Sequence, residues 1–540
     1  MTERGLKSTA KSLLGNIPFA VELWQSIRPA SGEIPGGYRL DKLEAVLPSW
    51  VGAASATRTI VKPKRSKRIL IVCALSWWVE YGTALGLWLS SQGHDVEMAF
   101  LPYRRWTEDV RRFDVRRQRS YLKNVLAPTK PLFRIHDLLG LSPSDLPSDL
   151  IRSIEAQSRI DVQYTMRRET ISVENDGQDH KLYGLRLARN LTFSRTLYAL
   201  MQERPFDLMI LPNGSILEFG AAYRLARFLD VPVVTYEFGE QRGRIWLAQN
   251  DEVMLQDTSK LWRARGHVEL TEDEVSALTE LRQARRGGKL WSNFTRQWQT
   301  QESKGANAAR EALGLDGNRP ITLLCTNVVG DSLSLGRQLF TDGMADWLMK
   351  TVSFFADRPE TQLVVRVHPG ELRGVGHPSE EIVQAALPEM PDHVIVVPPD
   401  AKVNTYDLIE ITHLGLVYTT TVGLEMTMSG IPVVVAGRTH YREKGFTHDP
   451  DSFDEYFSMI DMLLARPFGE GLSLEEMALA ERYAYRFFFE YALPFPWHLR
   501  YFWEDINSHP LEDCLEPEGQ MRYERTLAAL SGDPVVWGAN

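Results

Sequence analysis

The chain has 540 residues, 44% of them hydrophobic and 24% charged, which is typical of a globular protein and too long for a single core. Its net charge of −9 excludes general attraction to nucleic acid, and the absence of a run of about 18 uncharged apolar residues excludes a predicted transmembrane helix. Three widely spaced cysteines, Cys73, Cys325 and Cys514, exclude a disulfide framework and favour a reducing cytoplasm.

The first 66 residues predict a helical appendage with a linker. Apolar residues between positions 13 and 24 predict an amphipathic segment, which either packs on the body of the protein or contacts a membrane interface. The second interpretation would place the protein peripherally at the inner face of the cell membrane.

Alternating strand and helix patterns begin after this linker and predict a right-handed βαβ unit. Arginine-rich sequence with many helix formers at 104–200 predicts a helical insertion in this first half. The predicted strands lie at 68–74, 96–100, 206–211 and 231–236, the predicted helices at 84–91 and 217–228, and a predicted loop at 76–83.

A second cycle of strands and helices follows a polar connecting region. Its apolar runs include 321–327, a strand that ends at His368, 394–397 and 431–436. The alternation predicts an α/β protein with two doubly wound parallel sheets that face each other. The predicted regions are 1–66, a first Rossmann-like domain at 67–255, a helical connection at 256–315, a second Rossmann-like domain at 316–475, and aromatic C-terminal helices at 476–540 that pack across the domains.

A hydroxyl triplet in the second half predicts a phosphate site. Thr419, Thr420 and Thr421 precede Gly423, and a helix is expected to begin at Leu424. Hydroxyl groups and backbone N–H groups at such a position suit a phosphate, although a threonine there is also a favoured helix cap. Glu425 in the first turn would be repelled by phosphate, so it is expected to bind ribose or base hydroxyls, or to cap the helix.

The order of these motifs resembles the bacterial capsule polysaccharide biosynthesis family, which includes the Kdo transferases of capsule export. The motifs are His368 with Pro369, residues 406–409, residues 418–425, residues 430–438 and residues 440–447. The resemblance implies the GT-B fold, with two Rossmann-like domains around a central cleft. It also implies a nucleotide-activated sugar donor and no obligatory metal, in agreement with the lack of any His or Cys cluster at ligand spacing. No cofactor is therefore predicted.

The resemblance also implies a donor site in the second domain. His368 would contact the nucleotide phosphate or ribose, and its alternative is a structural histidine. Arg438 and Lys444 are expected to stabilise the leaving nucleotide, because a transferase without a metal needs cations there. The full expected donor set is His368, Pro369, Glu371, Thr419, Thr420, Thr421, Gly423, Glu425, Arg438, Tyr441 and Lys444, with Glu371 on ribose and Tyr441 stacking on a base or sugar.

The first domain is expected to supply a general base for the acceptor hydroxyl. Glu237 directly follows the strand at 231–236, so its carboxylate should reach the cleft, and Glu240 and Glu80 are the other candidates. The predicted function is a metal-independent glycosyltransferase that moves a sugar from a CMP-, UDP- or GDP-linked donor to a capsule glycan or lipid-linked acceptor. The alternatives on the same fold are a nucleotide-sugar epimerase, a polyol-phosphate transferase and a non-catalytic capsule assembly protein.

Overall fold

The computed structural model describes residues 17, 21, 39–60, 65–103, 105–109, 111–239, 241–286, 301–373, 378–467 and 469–538. Most of the predicted amphipathic segment, the first half of the predicted appendage, and Glu240 lie outside these residues. The second half of the appendage is helix α1 (Asp41–Ile60), which buries Leu43, Leu47 and Trp50 in the first core. None of the described helices is long and apolar enough to span a membrane.

The first sheet has seven strands in the order β3-β2-β1-β4-β5-β6-β12. Strands β1 to β5 run parallel, whereas β6 is antiparallel to β5 and β12 to β6. Both faces of the sheet are covered by helices, which explains why β1 and β4 are continuous apolar runs. The strands are β1 Arg68–Leu75, β2 Asp95–Tyr103, β3 Phe133–Asp137, β4 Leu208–Pro212, β5 Val233–Glu237, β6 Arg244–Gln249 and β12 Leu493–Pro494.

The second sheet has five parallel strands in the order β9-β8-β7-β10-β11. Both sheets therefore have their first strand at the centre and the Rossmann order 3-2-1-4-5, which confirms the predicted pair of doubly wound domains. In each sheet the strand order reverses beside the central strand, and the carboxyl edge there is the expected ligand crevice. The strands are β7 Ile321–Cys325, β8 Gln362–Arg366, β9 Val394–Val397, β10 Leu414–Val417 and β11 Val433–Val435.

Helices connect and cover the strands of both sheets. In the N-terminal lobe, which is built on the first sheet, they are α2 Ser76–Ser91, α3 Arg112–Val125, α4 Ser148–Met166, α5 Gln178–Glu203 and α6 Leu217–Phe228, with α16 Phe502–Ser508, α17 Leu511–Leu515 and α18 Pro517–Leu530 from the C-terminal end of the chain. In the C-terminal lobe, which is built on the second sheet, they are α7 Ser259–Arg265, α8 Glu272–Arg286, α9 Ala306–Leu313, α10 Met344–Ala356, α11 Pro378–Ala386, α12 Thr405–Ile409, α13 Val422–Met428, α14 Phe453–Leu464 and α15 Leu474–Tyr485.

The chain crosses between the lobes twice, once after β6 and again after α15. The second crossing is a π-helical turn, Arg486–Tyr491, that leads into β12 of the first sheet. Tyr483 and Phe487 belong to the core of the C-terminal lobe, whereas Phe495 and Trp497 belong to that of the N-terminal lobe. The aromatic segment therefore joins both cores, because its rings are divided between them.

Two local predictions were wrong. Residues 76–83 are not a loop, because α2 begins at Ser76 and packs closely on β1: a Cβ atom at Gly82 would lie 2.4 Å from Cys73 Sγ. The region predicted as a helical insertion contains β3, which pairs with β2 and forms the edge of the first sheet. The three cysteines are free and buried.

Candidate functional site

A cavity of about 630 Å³ lies between the two lobes. The N-terminal lobe contributes Glu237 at the carboxyl end of β5, and the C-terminal lobe contributes Thr421 after β10 and Leu333 after β7. The cavity therefore opens where the carboxyl edges of the two sheets meet, as expected for a ligand site in such folds. Most other lining side chains are apolar or aromatic, among them Trp77, Phe238, Trp246, Phe487 and Phe488.

Glu237 is held in place by two hydrogen bonds. Asn213 Nδ2 donates to Glu237 Oε2 over 3.1 Å, and the Phe238 N–H donates to Oε1 over 3.0 Å. Burial raises the pKa of Glu237 above its usual range, and these two donors oppose that rise. A carboxylate whose pKa is raised in a cleft is suited to accept a proton near neutral pH.

Two further groups, which no sequence motif marks, lie near this carboxylate. Asp331, in the loop after β7, adds its negative charge to the effects that raise the pKa of Glu237. Tyr164, near the end of α4, has a pKa raised to about 12 by burial and by the charge of Asp331. Asn213 is the residue that a strand-end signal could have found, since it directly follows β4 and has φ of +57°, a conformation that asparagine tolerates.

The three threonines of the hydroxyl triplet make different contacts. Thr419 Oγ1 donates to the Leu333 carbonyl over 2.9 Å, and its N–H donates to Asn327 Oδ1 over 3.1 Å, so this residue fixes the loop after β7. Thr420 is buried, and its carbonyl accepts from Tyr441 Oη over 2.6 Å. Thr421 is the member that lines the cavity, and its side chain makes no capping hydrogen bond to α13 in the described structure.

Gly423 is required by packing rather than by a bound phosphate. A Cβ atom there would lie 2.3 Å from Tyr441 Oη and 3.0 Å from Val417 Cγ2. Tyr441 is fully buried, so the expectation that it stacks on a base or sugar is wrong for this structure. The tyrosine instead holds the turn between β10 and α13.

His368 lies at the carboxyl edge of the second sheet, half-buried. Its N–H donates to Thr326 Oγ1 over 3.0 Å, and its Nδ1 accepts from the Gly370 N–H over 2.9 Å. A neutral ring that accepts at Nδ1 carries its proton on Nε2. Pro369 starts the short helix Pro369–Arg373, so the histidine is fixed where two strands end.

Glu371 does not offer its carboxylate to the cleft. Only 2% of the residue is exposed, and its Oε1 accepts from Ser379 Oγ over 2.5 Å. Its Oε2 accepts from the Ser379 N–H over 3.4 Å, in the first turn of α11. Glu371 therefore caps a helix, and the expected contact with ribose is not available in this arrangement.

Glu425 also points away from the cavity. It forms a buried ion pair with Arg285 of α8, with 2.5 Å between Oε1 and Nε, and accepts a hydrogen bond from Tyr406 Oη over 3.1 Å. These residues line a larger cavity of about 950 Å³ near Pro320 and Pro432, at the amino edge of the second sheet. The interpretation of Glu425 as a contact for ribose or base is therefore wrong for this structure.

The predicted cations occupy different environments. Arg438 is exposed, and its N–H donates to the Arg337 carbonyl over 2.8 Å, which places it beside the loop after β7. Lys444 has a pKa lowered by burial, an effect that the charge of Asp257 opposes. The structure thus places Arg438 near the carboxyl edge of β11 and Lys444 against the first crossing between the lobes.

Glu80 does not join Glu237. It lies on α2, where burial raises its pKa to about 7 and a hydrogen bond from Trp503 and the charge of Lys42 oppose the rise. Trp503 stacks on Trp50 of α1, so Glu80 faces the N-terminal helix instead of the cavity. The prediction of Glu80 as a candidate base is therefore wrong for this structure. Glu240, the other candidate, lies outside the described residues.

No group of three or more His, Cys, Asp or Glu side chains is placed to hold a metal ion within the described part of the chain. The set that the structure brings to the carboxyl edges of the two sheets is smaller than the predicted one. It contains Glu237, Thr421, His368 and Arg438, with Thr419 as a structural support.

Two facing Rossmann-like lobes with a cavity at their carboxyl edges define the GT-B class of fold. Residues 284–456 match the model of the family described as capsule polysaccharide biosynthesis protein, which confirms the resemblance predicted from the motifs over this segment. The matched segment includes β7 to β11 and all the residues that were expected to bind the donor.

Comparison with solved structures finds matches of low sequence identity and low TM-score. A beta-Kdo 2,4 transferase (KpsC) of Thermosulfurimonas dismutans is 15% identical, with 52% of this chain and 80% of that chain covered and a TM-score of 0.31. A UDP-GlcNAc 2-epimerase of Neisseria meningitidis is 12% identical, with 78% and 100% covered and a TM-score of 0.27. The calicheamicin glycosyltransferase CalG4 is 14% identical, with 86% and 99% covered and a TM-score of 0.25. No curated protein sequence matches the chain.

Proposed function

We propose that the protein is a glycosyltransferase of capsule polysaccharide synthesis. It moves a sugar from a CMP-, UDP- or GDP-linked donor to a glycan or lipid-linked acceptor, in the cytoplasm or at the inner face of the membrane. The observation that carries the proposal is that Glu237 and Thr421, which belong to different lobes, line one cavity. The family match over the C-terminal lobe supports the capsule as the setting.

Glu237 would act as the general base. Its carboxylate accepts the proton of the acceptor hydroxyl while the acceptor oxygen bonds to the anomeric carbon and the bond from that carbon to the nucleotide phosphate breaks. The hydrogen bonds from Asn213 and Phe238 keep the carboxylate in one orientation and so reduce the reorganisation that the reaction needs. The apolar walls of the cavity would exclude water that competes with the acceptor.

The C-terminal lobe would hold the donor. Thr421 would offer its hydroxyl from the cavity wall, His368 lies at the carboxyl edge of the same sheet, and Arg438 would offer a cation for the departing phosphate. Thr419 stabilises this edge through its hydrogen bond to the Leu333 carbonyl. Glu371, Glu425 and Tyr441 have structural contacts that replace the donor roles expected of them.

The test is transfer by the purified protein and by its Glu237→Gln variant, after thermal-shift screening with CMP, UDP and GDP selects the nucleotide. Loss of a general base lowers kcat by about 10²–10⁴-fold with little change in donor binding. Glu203→Gln, the same substitution at an exposed position on α5, is the matched control.

Three results would contradict the proposal. Transfer by Glu237→Gln at the wild-type rate would remove the assigned base. Conversion of the donor sugar without any acceptor would identify an epimerase. Nucleotide binding with no turnover on any glycan or lipid-linked acceptor would identify a non-catalytic assembly protein.

A further inference from the structure

The two lobes are joined by a contact that the sequence did not predict. Glu169, three residues beyond α4 in the N-terminal lobe, accepts two hydrogen bonds from the start of α10 in the C-terminal lobe. Met344 N donates to Oε1 over 2.9 Å, and Ala345 N donates to Oε2 over 2.7 Å. The position before Met344 is Gly343, which has no side chain to cap the helix, so the cap comes from the other lobe.

A second contact lies a short distance away along the same two segments. Arg167 Nη1 pairs with Asp331 Oδ1 over 3.3 Å. Gly330, with φ of +69°, packs so closely on the end of α4 that a Cβ atom would lie 2.7 Å from the Gln163 carbonyl oxygen and 2.9 Å from Arg168 N. Residues 163–169 therefore hold both ends of the loop 326–343, and we call this pair of contacts the interlobe clasp.

The loop held by the clasp shapes the donor side of the cavity. Its Asn327 accepts the Thr419 N–H, and its Leu333 accepts the Thr419 hydroxyl and lines the cavity. Its Arg337 carbonyl accepts the Arg438 N–H, so two predicted donor residues, Thr419 and Arg438, depend on where this loop lies. The clasp thus connects α4 of one lobe to the donor side of the other.

Because Glu169 belongs to the other lobe, its contact with the start of α10 depends on the separation of the two lobes. An ordinary capping residue moves with its own helix, whereas Glu169 reaches α10 only when the lobes stand at this separation. The carboxylate is half-buried, and charged hydrogen bonds of this kind are stronger than neutral ones. A cavity formed by two lobes keeps its shape only if their separation is fixed.

We propose that Glu169 is a positioning residue, which closes the interlobe clasp and thereby sets the loop 326–343 against Glu237. The clasp itself follows from the contacts, and its effect on sugar transfer rests on the proposed function. Glu169 touches no reacting atom, and its role is to fix the distance between the base and the donor side.

Hydrogen exchange tests the clasp without any substrate. In Glu169→Ala the amides of Met344 and Ala345 lose their acceptors, so the peptide 343–347 is expected to exchange at least tenfold faster. The increase should be smaller in Glu169→Gln, which keeps one acceptor oxygen. Glu203→Ala on the surface of α5 should leave this peptide unchanged, and the peptide of β7 should stay protected in all three variants. Unchanged exchange at 343–347 in a folded Glu169→Ala protein overturns the proposal.

A second variant keeps the test decisive if Glu169→Ala does not fold. Arg167→Gln removes the ion pair to Asp331 and should speed exchange in residues 330–334. No increase there, together with an insoluble Glu169→Ala, overturns the proposal as well.

Kinetics test the positioning role. Glu169→Ala should raise KM for the nucleotide sugar about five- to tenfold and lower kcat less, whereas Glu237→Gln lowers kcat alone. Faster exchange with unchanged KM and kcat would show that the clasp does not position the donor side, and it would overturn the positioning role of Glu169. If the wild-type protein transfers no sugar, the proposed function fails while the exchange data still decide the clasp.

Discussion

Asn213 Nδ2 donates a hydrogen bond to Glu237 Oε2, and the two residues stand at the carboxyl ends of neighbouring strands, β4 and β5. Asn213 can reach the carboxylate because its backbone takes φ of +57° directly after the strand. Its own Oδ1 accepts from the Ser215 N–H over 3.1 Å, which fixes the amide in this orientation. The pair therefore links the geometry of a turn to the protonation of the proposed base.

Replacement of Asn213 should move the pH dependence of transfer. Asn213→Gly removes a donor that lowers the pKa of Glu237, so the pKa rises further above its usual range and the acid limb of kcat/KM moves to higher pH. A hydrogen bond to a charged group contributes about 1.5 kcal/mol, so the rate below that limb should fall about tenfold relative to wild type. The measurement is a pH profile of kcat/KM for both proteins.

A matched variant separates this effect from backbone strain. Asn213→Ala removes the same donor and also puts alanine at a positive φ, which asparagine tolerates through its local hydrogen bond and glycine adopts freely, so this variant loses about 1 kcal/mol of stability. Both variants should therefore share the pH shift, and only Asn213→Ala should lose thermal stability. An acid limb that stays at the wild-type pH in both would show that Asn213 does not tune the base.

The buried pair of Glu425 and Arg285 should matter for stability. Glu425→Gln leaves the Arg285 charge buried without its carboxylate partner, so the free energy of unfolding should fall by about 3 kcal/mol. Replacement of both residues, as Arg285→Met with Glu425→Leu, should restore most of that loss, because neither charge then has to be desolvated. Urea denaturation of the wild type, Glu425→Gln and the double variant measures these differences.

The same variants decide between the two interpretations of Glu425. Nucleotide affinity in folded Glu425→Gln should equal that of wild type, because the carboxylate points away from the cavity between the lobes. Unchanged stability with lost nucleotide binding would return Glu425 to the donor site that the sequence predicted.

The sequence predicted which residues lie at the carboxyl edges of the sheets, but it did not predict which of their side chains face the cavity. Apolar runs that end at polar residues placed Glu237, His368 and the hydroxyl triplet at carboxyl edges, because a buried parallel strand must be apolar along its length. Which threonine of the triplet faces the cavity depends on the loop 326–343, about 90 residues earlier in the chain. No local pattern contains that information.

The predictions for several charged residues were wrong for the same reason, because the contacts of those residues come from other elements of the fold. Glu425 and Glu371 were expected to bind ribose or base hydroxyls, yet their partners come from α8 and α11. Tyr441 lies among charged residues in a loop, and its burial follows from the space left by Gly423. The interlobe clasp could not be predicted from a local sequence pattern either, because its two segments belong to different lobes.

The last prediction separates the hydroxyl that lines the cavity from the one that supports the loop. Thr421→Val keeps the side-chain shape and removes a hydroxyl at the donor side, so KM for the nucleotide sugar should rise several-fold while thermal stability stays at the wild-type value. Thr419→Val removes the bond to the Leu333 carbonyl and leaves that half-buried acceptor without its partner, which should lower stability by about 1 kcal/mol. Steady-state kinetics and thermal denaturation of both variants measure the contrast. Loss of donor affinity in folded Thr419→Val with none in Thr421→Val would reverse the two assignments, because it would mean that the donor displaces the Leu333 contact on binding.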